Sequence, residues 1–461
     1  MKITILNASP KGKNSVTFQS IRYLEKHFPK HTYTSLHIGQ KINAIGKDSK
    51  LFKEILEDIK TSDVILWAYP VYTFMVPYQL VKFIELIENS GNVKIFNNKY
   101  TAQISTSKHF YDHTAYNYLH NICEDWSMQH IHGLCADMDD LTMAVGRQQL
   151  LTFADAFFNA IETQTPVSKK YYPSISQPRR YNSPVDKKET PKSEDYRVVL
   201  ITDCTEEDHN LKEMIKTFQK TLPVKLDIFN LSEFEFQGGC LGCFQCAFEG
   251  KCIYNDGFDI KHRELVLNAD SMILAASINH HWFNAVWKCF DDRQFYNGHR
   301  TSMMGKSIGY IISGNLRQEA NLREILEARS EVGHLYLMDI VTDEYDNDEN
   351  ITQLLESLAD KTIWALKNKP QRPQNFLGIG GMKVFRDLIY IMRGLMQEDH
   401  RFYKENGLYD FPHKKVGMIL LMQFLGLLMK SKKSRKRMGI SMNKYLLMPY
   451  QKALGKDQVN Y

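Results

Sequence analysis

The chain has 461 residues, 43% of them hydrophobic and 24% charged, and a formal net charge of +5. That length exceeds one ordinary core, so two or three domains are expected. The composition is that of a soluble globular protein, and eight cysteines, four of them in one loop, fit a reducing cytosol better than a disulfide scaffold. The opening MKITILNASPKGKN reads as a strand entering a turn rather than a secretory leader, so a cytoplasmic location is expected.

Strand-like and helix-like patterns alternate twice, which predicts α/β architecture with doubly wound parallel sheets. In the first pass Lys2–Asn7, Val64–Trp67 and Tyr100–Ser105 read as strands, and Ser15–His27, Pro77–Ile87 and Leu150–Thr163 as helices. Ser168–Asp195 is rich in Pro, Ser and Lys without apolar period and reads as a linker. The second pass has strands at Arg197–Thr202, Lys225–Asn230, Ser271–Ala276, Lys306–Ser313 and His334–Val341. Its helices are Asn210–Thr221, Asp259–Asn268, Asn321–Val332 and Asn350–Lys367. The predicted domains are therefore 1–167 and 196–368, joined by the linker 168–195 and followed by a basic helical extension, 369–461. From Gln371 to Tyr461, 17 Lys+Arg stand against 6 Asp+Glu, so this segment carries +11 and the rest of the chain −6.

In doubly wound sheets ligands sit beyond the carboxyl ends of strands, so the loops there carry the functional reading. After the first strand, Ser9-Pro-Lys11-Gly-Lys-Asn14-Ser15-Val16 leads into a helix. Hydroxyls, an amide, lysines and N–H groups at a helix start suit a phosphate monoester, although an ordinary well-capped helix reads the same way. After the second strand, the flat aromatic loop Pro70-Val71-Tyr72-Thr73-Phe74 suits the edge of a planar heteroaromatic ring, or simply plugs the sheet end. The third loop carries Thr106, Ser107, His109 and His113; either histidine suits a hydrogen bond to a flavin or nicotinamide. In the second pass Cys240, Cys243, Cys246 and Cys252 form C-x2-C-x2-C-x5-C. An iron–sulfur cluster, a zinc ion and a redox-idle loop all remain open for this spacing, with the cluster favoured.

N-A-S-P-K-G-K-N-S followed by A-Y-P-V-Y resembles the flavodoxin-like NADPH-dependent FMN reductase family. The resemblance implies two tandem flavodoxin-like domains. Ser9, Lys11, Asn14, Ser15 and Val16 would hold the FMN phosphate; Pro70, Val71, Tyr72, Thr73 and Phe74 would hold the isoalloxazine, with Thr106, Ser107 and His109 beside it and Lys82 on the following helix. Lys11 keeps the charge of the family's common Arg but loses its bidentate geometry. The second pass resembles the iron–sulfur flavoproteins, which implies that Cys240, Cys243, Cys246 and Cys252 ligate a 4Fe–4S cluster. Trp287-Lys288 and Asp292-Arg293 echo that family's K…DR helix and read as an ion-paired helix end. At its first turn Asp203, Glu206, Glu207 and Asp208 stand where a phosphate would sit, so a second tightly bound FMN is not expected.

These readings give a flavin-dependent oxidoreductase passing electrons between FMN on the first domain and a cluster on the second. NAD(P)H is the donor the resemblance implies, with a small molecule or an electron-transfer protein as partner; a ferredoxin-like donor is as compatible. No residue is assigned to catalysis. A homo-oligomer is compatible with the family. No nucleic-acid module is recognisable and no such partner is expected. Val416–Met429 lacks charge over 14 residues, too short to span a bilayer, and six of the eight residues Lys430–Arg437 are basic. That tail reads first as a helical cap on the α/β pair with a solvated basic end, and it also suits a peripheral membrane surface or an acidic protein partner. The rival from another class is a non-catalytic flavodoxin-like binding or regulatory protein that docks through this tail.

Overall fold

The computed structural model describes residues 1–174, 179–183, 192–345, 347–428 and 431. The chain divides into two compact units, Met1–Phe402 and Tyr403–Tyr461, and both sheets belong to the first.

The amino-terminal domain runs β1 (Lys2–Asn7), α1 (Val16–His27), β2 (Thr32–Leu36), α2 (Ile38–Ile45), α3 (Ser49–Lys60), β3 (Val64–Pro70), α4 (Tyr78–Asn89), β4 (Tyr100–Ser107), α5 (Asp112–Asp125), β5 (Gln129–His130), β6 (Leu134–Asp137) and α6 (Ala144–Glu162). The strands are parallel in the order β2-β1-β3-β4-β5, with β6 also on β4. β1, β3 and β4 are buried along almost their whole length, because helices cover both faces. Ile3, Ile5, Leu66 and Ile104 pack there against Phe18, Ile21, Leu24 and Phe157 of α1 and α6. The second domain runs β7 (Ser193–Thr202), α7 (His209–Thr221), β8 (Val224–Asn230), α8 (Cys246–Glu249), α9 (Phe258–His262), β9 (Ser271–Ser277), α10 (Ala285–Arg293), β10 (Ser307–Ser313), α11 (Ala320–Val332), β11 (Tyr336–Thr342) and α12 (Asp348–Asn368). Its parallel order β11-β10-β9-β7-β8 repeats the first in every connection. Both sheets reverse strand order between their first and third strands, which is where the fold places ligands.

Both expected doubly wound sheets are present. The polar edge strand β2, only partly covered, was not predicted, nor were α2, α3 and α5. The helix predicted over Asp259–Asn268 is the short α9 running into a π-helical turn, Arg263–Leu267. The linker is anchored where it is described. The N–H groups of Lys170 and Tyr171 donate to the Glu124 carboxylate at 2.8 and 2.9 Å, and the fully buried Tyr181 bonds Asn210, Thr217 and Thr352.

The two domains pack as the halves of a symmetric dimer would, α4 on α10 and α5 on α11. The Tyr78 N–H at the start of α4 donates to the Asp292 carboxylate at 2.7 Å, and the Ala285 N–H at the start of α10 donates to the Glu85 carboxylate. The two bonds exchange roles when 207 is added to each number, as an isologous contact requires. Each carboxylate satisfies an N–H that its partner helix leaves open.

Beyond the second domain, α13 (Phe376–Ile391) packs on α11, with Gly381 against Val332, and α14 (Gln397–Glu405) follows. Within the second unit Tyr409 and Phe411 stack at 5.8 Å, and α15 (Val416–Leu428) lies exposed. Among the described residues no helix is long and apolar enough to cross a membrane. The basic run Lys430–Arg437, apart from Ser431, lies outside the described residues.

Candidate functional site

Three loops meet at the carboxyl ends of β1, β3 and β4, whose register sets Asn7 beside Ala68 and Pro70 beside Thr106. The Asn7 side chain organises the first loop. Its Oδ1 accepts the Ser9 N–H at 3.1 Å and its Nδ2 donates to the Gly12 carbonyl at 2.9 Å. Ser9 is buried and its Oγ accepts the Lys11 N–H at 3.3 Å. Gly12 adopts φ +54°, and a Cβ there would fall 2.5 Å from the end of the Gln40 side chain, so the turn favours glycine. Ser15 caps α1 by accepting the Phe18 N–H at 3.1 Å, while the N–H groups of the first turn from Val16 onward have no partner within the helix. Lys11, Lys13, Asn14 and Val16 are exposed around this opening. Buried hydroxyls, a helix start and two exposed lysine side chains form a donor set that fits a phosphate.

The second loop is a tight turn in which Tyr72 and Met75 exchange hydrogen bonds of 2.8 and 3.0 Å, leaving the N–H groups of Thr73 and Phe74 outside that pair. Thr73 and Phe74 hold φ of 39° and 67°, strained values for non-glycine residues. The Val71 N–H ties this loop to the third by donating to the Thr106 carbonyl at 3.2 Å. The hydroxyls of Thr17 and Thr106 join the first and third loops at 2.5 Å. Ser107 Oγ accepts the His109 N–H at 2.9 Å, and the half-exposed His109 ring bonds Asp112 at 2.7 Å. The structure thus gathers the proposed flavin residues at one sheet edge. Lys82 instead pairs with Glu85 at 3.0 Å. His113 bonds Glu324 of the second domain at 2.8 Å, and that carboxylate raises its pKa.

The second domain covers the ring loop. Lys288 is completely buried, donates to the Tyr72 carbonyl at 2.8 Å and ion-pairs with Asp292. Burial pushes the Asp292 carboxyl up to about 6 despite that ammonium. Arg329 bonds Asp291 at 2.6 Å and lies over the Phe74 ring at 5.8 Å. The ion-paired reading of the Lys288–Arg293 helix therefore holds: Arg293 also forks onto Asp256 through two bonds of 2.7 Å.

The cysteine loop, from the β8–α9 connection, lies against the same loops. Gly242 has φ +60°, and a Cβ on it would stand 2.4 Å from the Tyr72 hydroxyl and 3.4 Å from Lys11 Cε. Gln79 of α4 donates to the Cys240 carbonyl at 3.1 Å, and Asn43 to the Gln237 carbonyl at 3.2 Å. Burial and then the Cys240 thiol push the Tyr72 phenol well up. Within the loop the Gly242 N–H points at Cys240 Sγ at 3.4 Å, and Cys246 Sγ donates to the Phe295 carbonyl at 3.2 Å. Burial, then the neighbouring Cys243 and Cys252 thiols, hold the Cys246 thiol up at about 11. All eight cysteines are free. Among the described residues, no three His, Cys, Asp or Glu side chains are arranged to hold a metal ion. The four-thiol donor set fits a cluster in its chemistry; the thiols are neighbours without being gathered into a coordination shell.

Sequence reasoning did not find Gly242, Gln79, Arg329 or Phe295, whose ring meets Tyr72 edge-on at 5.7 Å, and it read Lys288 only as part of an ion-paired helix end. These are long-range contacts.

Residues 1–136 match the model of the NADPH-dependent FMN reductase family. The flavin-oxidoreductase resemblance implied by the two loops is borne out over that stretch. The iron–sulfur flavoprotein of Archaeoglobus fulgidus is 28% identical over 175 residues, covering 36% of this chain and 78% of that protein. Among solved structures, the flavoenzyme NAD(P)H:acceptor oxidoreductase of Paracoccus denitrificans is 20% identical over 35% of this chain and 97% of its own, with a TM-score of 0.29. General stress protein 14 of Treponema denticola, solved with FMN, is 14% identical over 35% of this chain and 99% of its own, with a TM-score of 0.27. The strand order already establishes the flavodoxin-like architecture without them.

Proposed function

We propose that the chain is a cytoplasmic flavin-dependent oxidoreductase that holds FMN on its amino-terminal domain and a 4Fe–4S cluster on the cysteine loop of its second domain. The observation that carries this reading is the contact of Gly242 with Tyr72 and Lys11, which sets the four-thiol loop directly on the flavin loops. FMN, when bound, supplies hydride acceptance and single-electron release, and a cluster supplies one-electron exchange. Ser9, Lys11, Asn14, Ser15 and Val16 would bind the phosphate. Pro70, Val71, Tyr72, Thr73 and Phe74 would line the ring, with Thr106, Ser107 and His109 at its border. Lys288 fixes the ring loop through the Tyr72 carbonyl. Cys240, Cys243, Cys246 and Cys252 would ligate iron. NAD(P)H as donor rests on the similarity to NADPH-dependent FMN reductases, and the free thiols suit a reducing cytoplasm.

A second reading keeps FMN and gives the cysteines a structural role; the ungathered thiols favour it. Titrating the anaerobic protein and its Cys243→Ser variant with NADPH separates the two. Under the first reading the wild type bleaches at the flavin bands and at a broad absorption that the variant lacks. Identical spectra would leave the flavin alone.

A further inference from the structure

We infer that α15 with its flanking cations is an anchor that lays this protein on an anionic lipid bilayer. Nine of its apolar side chains, Val416, Met418 to Met422, Phe424, Leu427 and Leu428, are 39% to 60% exposed, and they face every direction around the helix. No charge interrupts Val416–Met429. So much solvent-facing apolar surface on one element marks an interaction site. Its length decides the mode: the 14 uncharged residues Val416–Met429, bounded by Lys415 and Lys430, would make a helix of roughly 21 Å, against a hydrocarbon core of roughly 30 Å. A stretch of that length reaches into one leaflet without crossing the bilayer.

The flanks decide the partner. Lys414 and Lys415 precede the helix, and Lys430, Lys432, Lys433, Arg435, Lys436 and Arg437 follow it. A second copy is the obvious rival for an apolar helix, but either orientation of such a pair brings like charges together. Parallel helices set one basic run beside the other, and antiparallel helices set each run beside the partner's Lys414 and Lys415. An anionic surface accepts the apolar side chains and all the cations at once. The flavin and cysteine loops take no part in this argument, so it stands or falls apart from the redox reading.

The test is sedimentation of the full chain with phosphatidylcholine vesicles, with and without phosphatidylserine. The protein should partition at least about tenfold more strongly onto the phosphatidylserine vesicles, and rising salt should weaken that binding. Leu420→Asp with Leu427→Asp should abolish binding to both kinds of vesicle. Neutralising Lys432, Lys433, Arg435 and Lys436 to Gln should remove the preference for phosphatidylserine. Far-ultraviolet dichroism of the variants checks that the sheets are intact. The inference is overturned if wild type ignores phosphatidylserine vesicles, if neither variant changes its partition, or if the chain dimerises through α15 and the Asp pair dissociates the dimer.

Discussion

The two α/β domains share every strand connection and even the strained turn after the third strand, yet they treat the ligand position oppositely. In the first domain Asn7 Oδ1 holds the Ser9 N–H, and in the second Thr202 Oγ holds the Cys204 N–H in the same way. Tyr72 pairs with Met75 as Asn279 pairs with Trp282. The first domain then opens to solvent with Lys11 and Lys13, whereas the second closes on itself. Asp203 is 1% exposed and bonded by Asn284 at 2.7 Å, and burial pushes its carboxyl up to about 6. His281, at the place of Phe74, is gripped by Glu319 at 2.9 Å and by Asp125 of the first domain at 3.0 Å. Backbone geometry has been kept while the chemistry was exchanged. The second domain has filled its own site with ion pairs and lends its β8–α9 connection to the site of the first.

The comparison breaks most sharply at Lys288. Replacing it by Met leaves Asp292 buried without its cation and should cost about 3–5 kcal/mol in denaturant unfolding. Lys82→Met, on the matching helix α4, removes a partly exposed pair and should cost under about 1 kcal/mol. Equal losses at both positions would refute the asymmetry.

His281→Gln should show the next largest effect, and a pH-dependent one. Burial alone would lower the pKa of this imidazole, but the Asp125 and Glu319 carboxylates overcome it and hold the pKa at about 9, above the ordinary imidazole value of 6.5. The folded state therefore binds the proton more tightly, which stabilises the fold fully below pH 6.5 and progressively less as pH rises through about 9. The variant should be about 3 kcal/mol less stable than wild type at the acid end, with the gap narrowing across that window. A constant gap would mean that His281 is not charged.

Lys11→Gln should weaken FMN binding about tenfold, near 1.4 kcal/mol, in a fluorescence titration, while Glu206→Gln with Glu207→Gln should recruit no flavin to the second domain. The smallest effect is expected for Lys212→Gln, whose pair with Glu206 is exposed; its denaturant midpoint should match that of the wild type.

The doubly wound architecture was legible because β1, β3, β9 and β10 are buried on both faces and so read as unbroken apolar runs. β2 was not, since an edge strand of sequence TYTSL carries no such run. The loop chemistry was legible through Gly, Pro, Ser and Asn at strand ends. Its long-range completion was not: nothing local in Gly242 announces Tyr72, and His113 looked available for a flavin until the fold supplied Glu324. The linker composition likewise concealed Tyr181, a single buried ring in a polar stretch.

Counting cofactors in anaerobically purified wild-type protein tests the division of labour most directly. One FMN with four irons and four sulfides per chain is the predicted result. Two flavins per chain, or a flavin without iron, would contradict it.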